Sequence, residues 1–135
     1  MRKVKYLITG SNGLLGQKIV TLLLKSEVDF MATSKGENRN SLLPDSHYFS
    51  LDLTQKSEIQ NLNHKFCPEV IINTAALTNV DLCEEQKELC DQLNVDAVQE
   101  LLNYSIQNNS KLIHLSTDFV FDGESGPYIE TDKPN

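Results

Sequence analysis

Glycines at positions 10, 13 and 16 stand three residues apart between an apolar run, Val4 to Thr9, and the apolar positions Leu15, Ile19, Leu22 and Leu23. The spacing behind the glycines is helical and the run ahead of them reads as a strand. Gly10 lets the chain turn sharply, and Gly13 carries no Cβ to hold an anion away from the backbone. Gly16 lets the helix lie close on its sheet, and the helix N-terminus offers unpaired N–H groups and a positive dipole end. Strand, glycine turn and helix in that order are what the pyrophosphate of a dinucleotide needs. No Gly-Lys-Ser/Thr follows the glycines, which disfavours a P-loop nucleotidase.

Open parallel sheets bind ligands at the carboxyl ends of their strands, so each strand end is a candidate in turn. The second strand, Val28 to Thr33, ends at Ser34 and Lys35 with no carboxylate. A carboxylate there would chelate the ribose hydroxyls of NAD and repel the extra phosphate of NADP. A hydroxyl with cations (Ser34, Lys35 and Arg39) does the reverse, so NADP (NADPH) is expected over NAD. The third strand ends at Asp52-Leu53. Asp52 can accept from an adenine amino group with Leu53 against the ring, or it neighbours the cap of a helix beginning at Thr54. The fourth ends at Asn73-Thr74-Ala75-Ala76-Leu77-Thr78. There Ala75 and Ala76 admit a flat ligand such as a nicotinamide, or serve a tight crossing between sheet and helix. The fifth ends at Ser116-Thr117-Asp118. Thr117 could polarise a substrate carbonyl and Asp118 orient a sugar hydroxyl, or both could cap a turn. Convergence on one rim with the glycine turn favours the site.

The elements that must hold these ends alternate. A helix is expected to about Ser26, a polar loop over Ser34 to Asn40 and a third strand over His47 to Leu51. A helix over Thr54 to Phe66 carries Ile59, Leu62 and Phe66. Pro68 opens a buried strand, Val70 to Ile72. Residues Asp81 to Asn108 read as mostly helical, with Leu89, Leu93, Ala97, Leu101 and Leu102 on one side. Asp81 with Glu84 resembles a capping box at its start. Lys111 to Ser116 is the fifth strand, and turns follow Thr117. Alternation of this kind predicts right-handed βαβ units and an α/β fold: a Rossmann-type, doubly wound parallel sheet. Only about five strands are present, which makes the sheet an incomplete one, the N-terminal portion of the domain.

The 135 residues suit one domain, with 39% hydrophobic and 23% charged residues. A net charge of −7 argues against nucleic acid and against a polybasic membrane contact. No run of eighteen apolar residues or signal-type segment occurs, so a cytoplasmic location is expected. Cys67, Cys83 and Cys90 contain no Cys-x-x-Cys pair and read as reduced, buried or half-buried thiols, with no metal site. His47, His64 and His114 have no ligand spacing and read as surface or sheet histidines.

Several blocks resemble the extended short-chain dehydrogenase/reductase family. They are Thr9-Gly10-x-x-Gly13-x-x-Gly16, Asp52-Leu53, Asn73-x-Ala75-Ala76-x-Thr78-x-Val80-Asp81-x-x-Glu84, Leu93-Asn94-Val95 and Ser116-Thr117-Asp118-Phe119-Val120-Phe121-Asp122-Gly123. The fourth-strand block and the last block are most similar to its dTDP-4-dehydrorhamnose reductase branch. The resemblance implies a cofactor site at Gly10, Asn12, Gly13, Leu14, Leu15 and Gly16, with Leu14 and Leu15 beside the pyrophosphate. It further implies Ser34 and Lys35 at the adenosine ribose or its phosphate, Asp52 and Leu53 at the adenine, and Ala75, Ala76, Leu77 and Thr78 along the other half. Thr117 would be the catalytic hydroxyl and Asp118 a substrate contact. The reaction implied is NADPH-dependent reduction of the C4 keto group of dTDP-4-dehydro-L-rhamnose to dTDP-L-rhamnose, by a homodimeric full-length protein acting on a dTDP-linked nucleotide sugar.

The family's proton donor is a tyrosine followed four residues later by a lysine. Here Tyr6, Tyr48, Tyr104 and Tyr128 are followed at that spacing by Gly10, Asp52, Asn108 and Asp132. Residues 1–135 are therefore expected to be a truncated cofactor-binding domain, lacking the Tyr/Lys segment and the substrate domain, and inactive alone. A non-catalytic relative like the methionine adenosyltransferase regulatory subunit shares the same blocks, and a nucleotide-sugar epimerase or dehydratase of the superfamily is the other alternative.

Overall fold

A computed structural model describes residues 3–117 and 119–134. The strands are β1 (Lys5–Thr9), β2 (Asp29–Ser34), β3 (Tyr48–Ser50), β4 (Val70–Asn73) and β5 (Lys111–His114). All pair in parallel in the order β3-β2-β1-β4-β5. The helices are α1 (Leu14–Leu24), α2 (Lys56–Gln60), α3 (Leu62–Lys65), α4 (Val80–Glu85), α5 (Lys87–Asp91) and α6 (Ala97–Gln107), with a π-turn over Gln92–Asp96 between the last two. This is the Rossmann-type α/β fold expected.

Successive side chains of a strand point to opposite faces, so each strand feeds two cores. Leu7 and Ile71 pack with Ile59, Leu62, Ala97 and Leu101 beneath α2, α3 and α6. Ile8 packs with Val20, Phe30, Ala32 and Leu43 beneath α1. Both faces of β1 are thereby buried, which is why Leu7 and Ile8 are both 0% exposed. β5 is different: Ile113 and, just beyond the strand, Leu115 stay 42% and 41% exposed.

Several expectations need correction. In α1 the buried positions are Gly16 and Val20, while Leu22 is 65% exposed and Leu15 44%. Ile19 and Leu23 pack against the core as expected, together with Leu24, so the sheet takes half of the stripe that the spacing suggests and shifts the rest. The helix expected over Thr54 to Phe66 breaks at Asn61, whose side chain turns back to donate to the Ser57 carbonyl at 2.8 Å. Ile59 and Leu62 nevertheless face the core as expected. The long helix over Asp81 to Asn108 is broken at Gln86 and widened at the π-turn. Its cap is Asn79, whose Oδ1 accepts from the Leu82 N–H at 2.9 Å, rather than Asp81. Leu102 is 41% exposed rather than on the buried side. Cys67 is exposed rather than buried, while Cys83 and Cys90 are half-buried.

Candidate functional site

Gly10 turns the chain at φ +71°, and a Cβ there would stand 2.6 Å from the Ala75 nitrogen. The turn therefore touches the loop after β4, and only glycine permits that approach. A Cβ on Gly16 would collide with the Gly10 carbonyl and lie 2.7 Å from Cα of Ser11, so this glycine seats α1 on the turn. Gly13 is the N-cap of α1, with no side-chain cap and no acidic residue in the first turn. The Gln17 N–H makes the first helical bond, to Gly13 O at 2.9 Å. The amides of Leu14, Leu15 and Gly16 precede it and have no helical acceptor. This uncapped first turn suits a pyrophosphate.

A cleft of about 340 Å³ opens in front of the turn, lined by Gly10, Gly13, Ser34, Lys35, Asp52, Leu53, Ala75 and Ala76. It brings together the strand ends of β1, β2, β3 and β4. A second cleft of about 500 Å³ continues from it, sharing Ala76 and adding Leu77, Thr78, His114, Ser116 and Thr117. Asn12, Leu14, Leu15 and Gly16 line neither. Leu14 is 83% exposed. Asp118, the remaining candidate, lies outside the described residues.

Within the first cleft the polar groups are already engaged. The Ser34 hydroxyl accepts from the Asn12 N–H at 3.0 Å and lies 3.5 Å from the Ser11 hydroxyl. Lys35 Nζ pairs with Asp52 Oδ2 at 2.8 Å, and Asp52 Oδ1 accepts from Thr54 N–H and Thr54 Oγ1. Asp52 thus makes the turn that precedes α2 while facing the cleft. Burial pushes its carboxyl up, but the hydrogen bonds from Lys35 and Thr54 outweigh that and hold it below the ordinary carboxylate value. The same pair raises Lys35, first through the hydrogen bond to Asp52 and then through its charge.

Asn12 serves as a clasp. Its Nδ2 donates to Glu37 O and its Oδ1 accepts from Arg39 N–H, both at 2.9 Å, fastening the glycine turn to the loop after β2. Tyr48 holds the other side of that loop by donating to the Ser34 and Gly36 carbonyls. Burial raises the Tyr48 phenol against the lowering influence of its hydrogen bonds to Asn12 and Ser34.

In the second cleft, Thr117 Oγ1 accepts from Phe119 N–H at 3.0 Å, the turn-capping role, and retains its proton for a ligand. Three further residues, without a role expected from their strand-end position, shape this region. Asn73, fully buried, accepts from Thr9 Oγ1 and Ala75 N–H through Oδ1. Its Nδ2 therefore donates to His114 Nδ1 at 3.1 Å, leaving the imidazole proton on Nε2. Asn94, on the π-turn, accepts from Leu77 N–H at 2.8 Å and donates to Leu77 O at 2.9 Å, pinning the loop after β4 from both sides. Asn73 and Asn94 stand inside the family-like blocks, which was the one signal for them in the sequence. No helix among the described residues is long and apolar enough to cross a membrane, and no cluster of His, Cys, Asp and Glu among them could hold a metal ion.

The family model described as RmlD substrate binding domain matches residues 4–135. The chain belongs to this family. A dTDP-4-dehydrorhamnose reductase from Aggregatibacter actinomycetemcomitans is 38% identical over 130 residues, 95% of this chain and 40% of that protein. Methionine adenosyltransferase 2 subunit beta from Rattus norvegicus is 33% identical over 131 residues, 97% of this chain and 37% of that one. This family chain therefore spans well under half the length of the curated relatives it matches. Among solved structures, a hypothetical dTDP-4-dehydrorhamnose reductase from Sulfolobus tokodaii superposes with TM-score 0.82 at 36% identity, covering 98% of this chain and 46% of that one. The Bacillus anthracis dTDP-4-dehydrorhamnose reductase in complex with NADP gives 0.73 at 29% identity, covering 93% and 40%. A Thermus thermophilus UDP-glucose 4-epimerase complexed with NAD gives 0.83 at 25% identity, covering 98% and 44%.

Proposed function

We propose that this chain is the NADPH-binding part of a nucleotide-sugar reductase that reduces the C4 keto group of dTDP-4-dehydro-L-rhamnose to dTDP-L-rhamnose. The observation that carries this reading is the uncapped first turn of α1, opening onto a cleft that joins the ends of four strands and runs on to Thr117. Gly10 and Gly13, with the amides of Leu14 and Leu15, would hold the pyrophosphate. Ser34 would donate its hydroxyl proton to the ribose phosphate. A phosphate that captured Lys35 would release Asp52 Oδ2 to accept from the adenine amino group, with Leu53 against the ring. Ala75, Ala76, Leu77 and Thr78 would line the other half. The bound cofactor supplies a hydride. Thr117 would donate a hydrogen bond to the substrate carbonyl oxygen, and Asp118 would contact the sugar. Turnover would further need a proton donor, for which residues 1–135 hold no Tyr-x-x-x-Lys pair.

Thermal melting of this chain tests the cofactor half. A ligand that binds only the folded state, present at 100 times its Kd, stabilises by about 2.7 kcal/mol. NADPH is expected to raise the melting point and NADH to raise it less; no shift with either overturns the reading. The 33% identity to methionine adenosyltransferase 2 subunit beta favours a second reading, a cofactor-binding regulatory subunit. Consumption of NADPH by the full-length protein with the keto sugar selects the enzyme, and binding without turnover selects the subunit. Tightly retained NAD with no net consumption would select an epimerase.

A further inference from the structure

Cys83 on α4 and Cys90 on α5 are both free and half-buried, and their sulfurs are 2.8 Å apart. On an unbroken helix, residues seven apart are separated by about 10.5 Å along the axis. The break at Gln86 is what folds one thiol onto the other. The two sulfurs stand in a directed series of hydrogen bonds. Asn94 Nδ2 donates to Cys90 Sγ at 3.3 Å, Cys90 donates to Cys83 Sγ, and Cys83 donates to Leu77 O at 3.5 Å. Small apolar packing alone would not need this order. Cys83 also lines the second cleft, so an oxidant in solvent can reach the pair.

We propose that Cys83 and Cys90 form a reversible dithiol–disulfide site, oxidised by a hydroperoxide and reopened by a thiol reductant. Cys90 supplies the attacking sulfur, because the Asn94 amide N–H points at it while the Cys83 sulfur is turned to the Leu77 carbonyl. Cys83 keeps its proton at neutral pH, pushed up to about 11 first by the hydrogen bond with Cys90 and then by burial. Cys90 gives its proton to solvent and attacks the terminal peroxide oxygen; the O–O bond breaks, and the departing oxygen takes a proton back from solvent and leaves as water or alcohol. Cys90 becomes a sulfenic acid. Cys83 then attacks that sulfur, its proton leaving with the hydroxyl as water. Two thiols and one peroxide have become one disulfide, and the sulfurs have closed from 2.8 Å to a bond of about 2.05 Å. The product fastens α4 to α5 in the cleft wall, and the site stands whether or not a dinucleotide binds.

The test treats the folded chain with hydrogen peroxide, quenches, denatures under an alkylating agent and maps the peptides. Free thiols are expected to fall from three to one, with Cys67 alkylated and a peptide joining Cys83 to Cys90. Dithiothreitol is expected to restore all three. Cys67→Ser is expected to go from two thiols to none, and Cys90→Ser to stay without an intramolecular link. Three free thiols after treatment, a link through Cys67, or sulfinic acid in place of the disulfide each overturns the proposal. A matching run in urea, where the fold no longer selects partners, is expected to lose the preference; the same Cys83–Cys90 yield there would also overturn it.

Discussion

Replacing Gly10, Gly16 and Gly36 by alanine, one at a time, separates two causes that the glycine turn combines. Gly36 has φ +80° with nothing within 4 Å of a new Cβ, so Gly36→Ala carries only the left-handed backbone cost of about 1–2 kcal/mol. Gly16 has no positive φ, yet its Cβ would strike Gly10 O and Ser11. Gly16→Ala gains about 1 kcal/mol of helix propensity and loses more to overpacking, a net cost of about 1–2 kcal/mol. Gly10 carries both effects, φ +71° and backbone atoms of Ala75 at 2.6 and 2.7 Å. Gly10→Ala is therefore expected to cost about 2–5 kcal/mol. Urea titrations with a common slope give the three differences directly, and NADPH thermal shifts on the same variants report the cleft. Gly36→Ala should leave the shift intact, while Gly10→Ala should abolish it. A Gly10→Ala chain no less stable than Gly36→Ala would refute the close approach of the turn to the β4 loop, and a Gly16→Ala chain as stable as the parent would refute the seating of α1 on the turn.

Asp52 makes a pH prediction. Its carboxyl is lowered in the folded state, so its stabilising contribution is complete above the ordinary value of 3.8 and drains away as pH falls through the lowered one. Asp52→Asn should flatten that part of the acid unfolding curve, and an unchanged curve would count against the pair with Lys35. Asn12→Ala removes two hydrogen bonds to the loop after β2 and is expected to cost about 1–3 kcal/mol. Under the proposed function it should also narrow the difference between NADPH and NADH, read by calorimetric titration. The open flank of β5, with Ile113 and Leu115 exposed, predicts concentration-dependent self-association of this polypeptide in light scattering. A monodisperse monomer at high concentration would argue otherwise.

What the sequence discloses is local. Gly10, Gly13 and Gly16 announce the turn because turn chemistry and helix start are properties of adjacent residues. The strands are legible because each is a short apolar run with punctuation on both sides. The phase of α1 is not, since Leu14, Leu15, Ile19, Val20, Leu22, Leu23 and Leu24 satisfy more than one stripe and only the sheet decides between them. The breaks at Asn61 and Gln86 come from single polar residues inside otherwise helical patterns. Partnerships across the chain leave no trace in spacing at all. The Lys35–Asp52 pair, the Asn73–His114 contact and the Asn12 clasp each join segments that only the strand order brings together.

The clasp has an evolutionary consequence. Asn12 grips the loop after β2 solely by main-chain atoms, the carbonyl of Glu37 and the amide of Arg39. Substitutions at 37 and 39 can therefore exchange charge for charge without loosening the grip. Under the proposed function, preference between a phosphorylated and a plain ribose is free to drift by changing the loop's side chains, while its path in space stays held by Asn12 on one side and Tyr48 on the other.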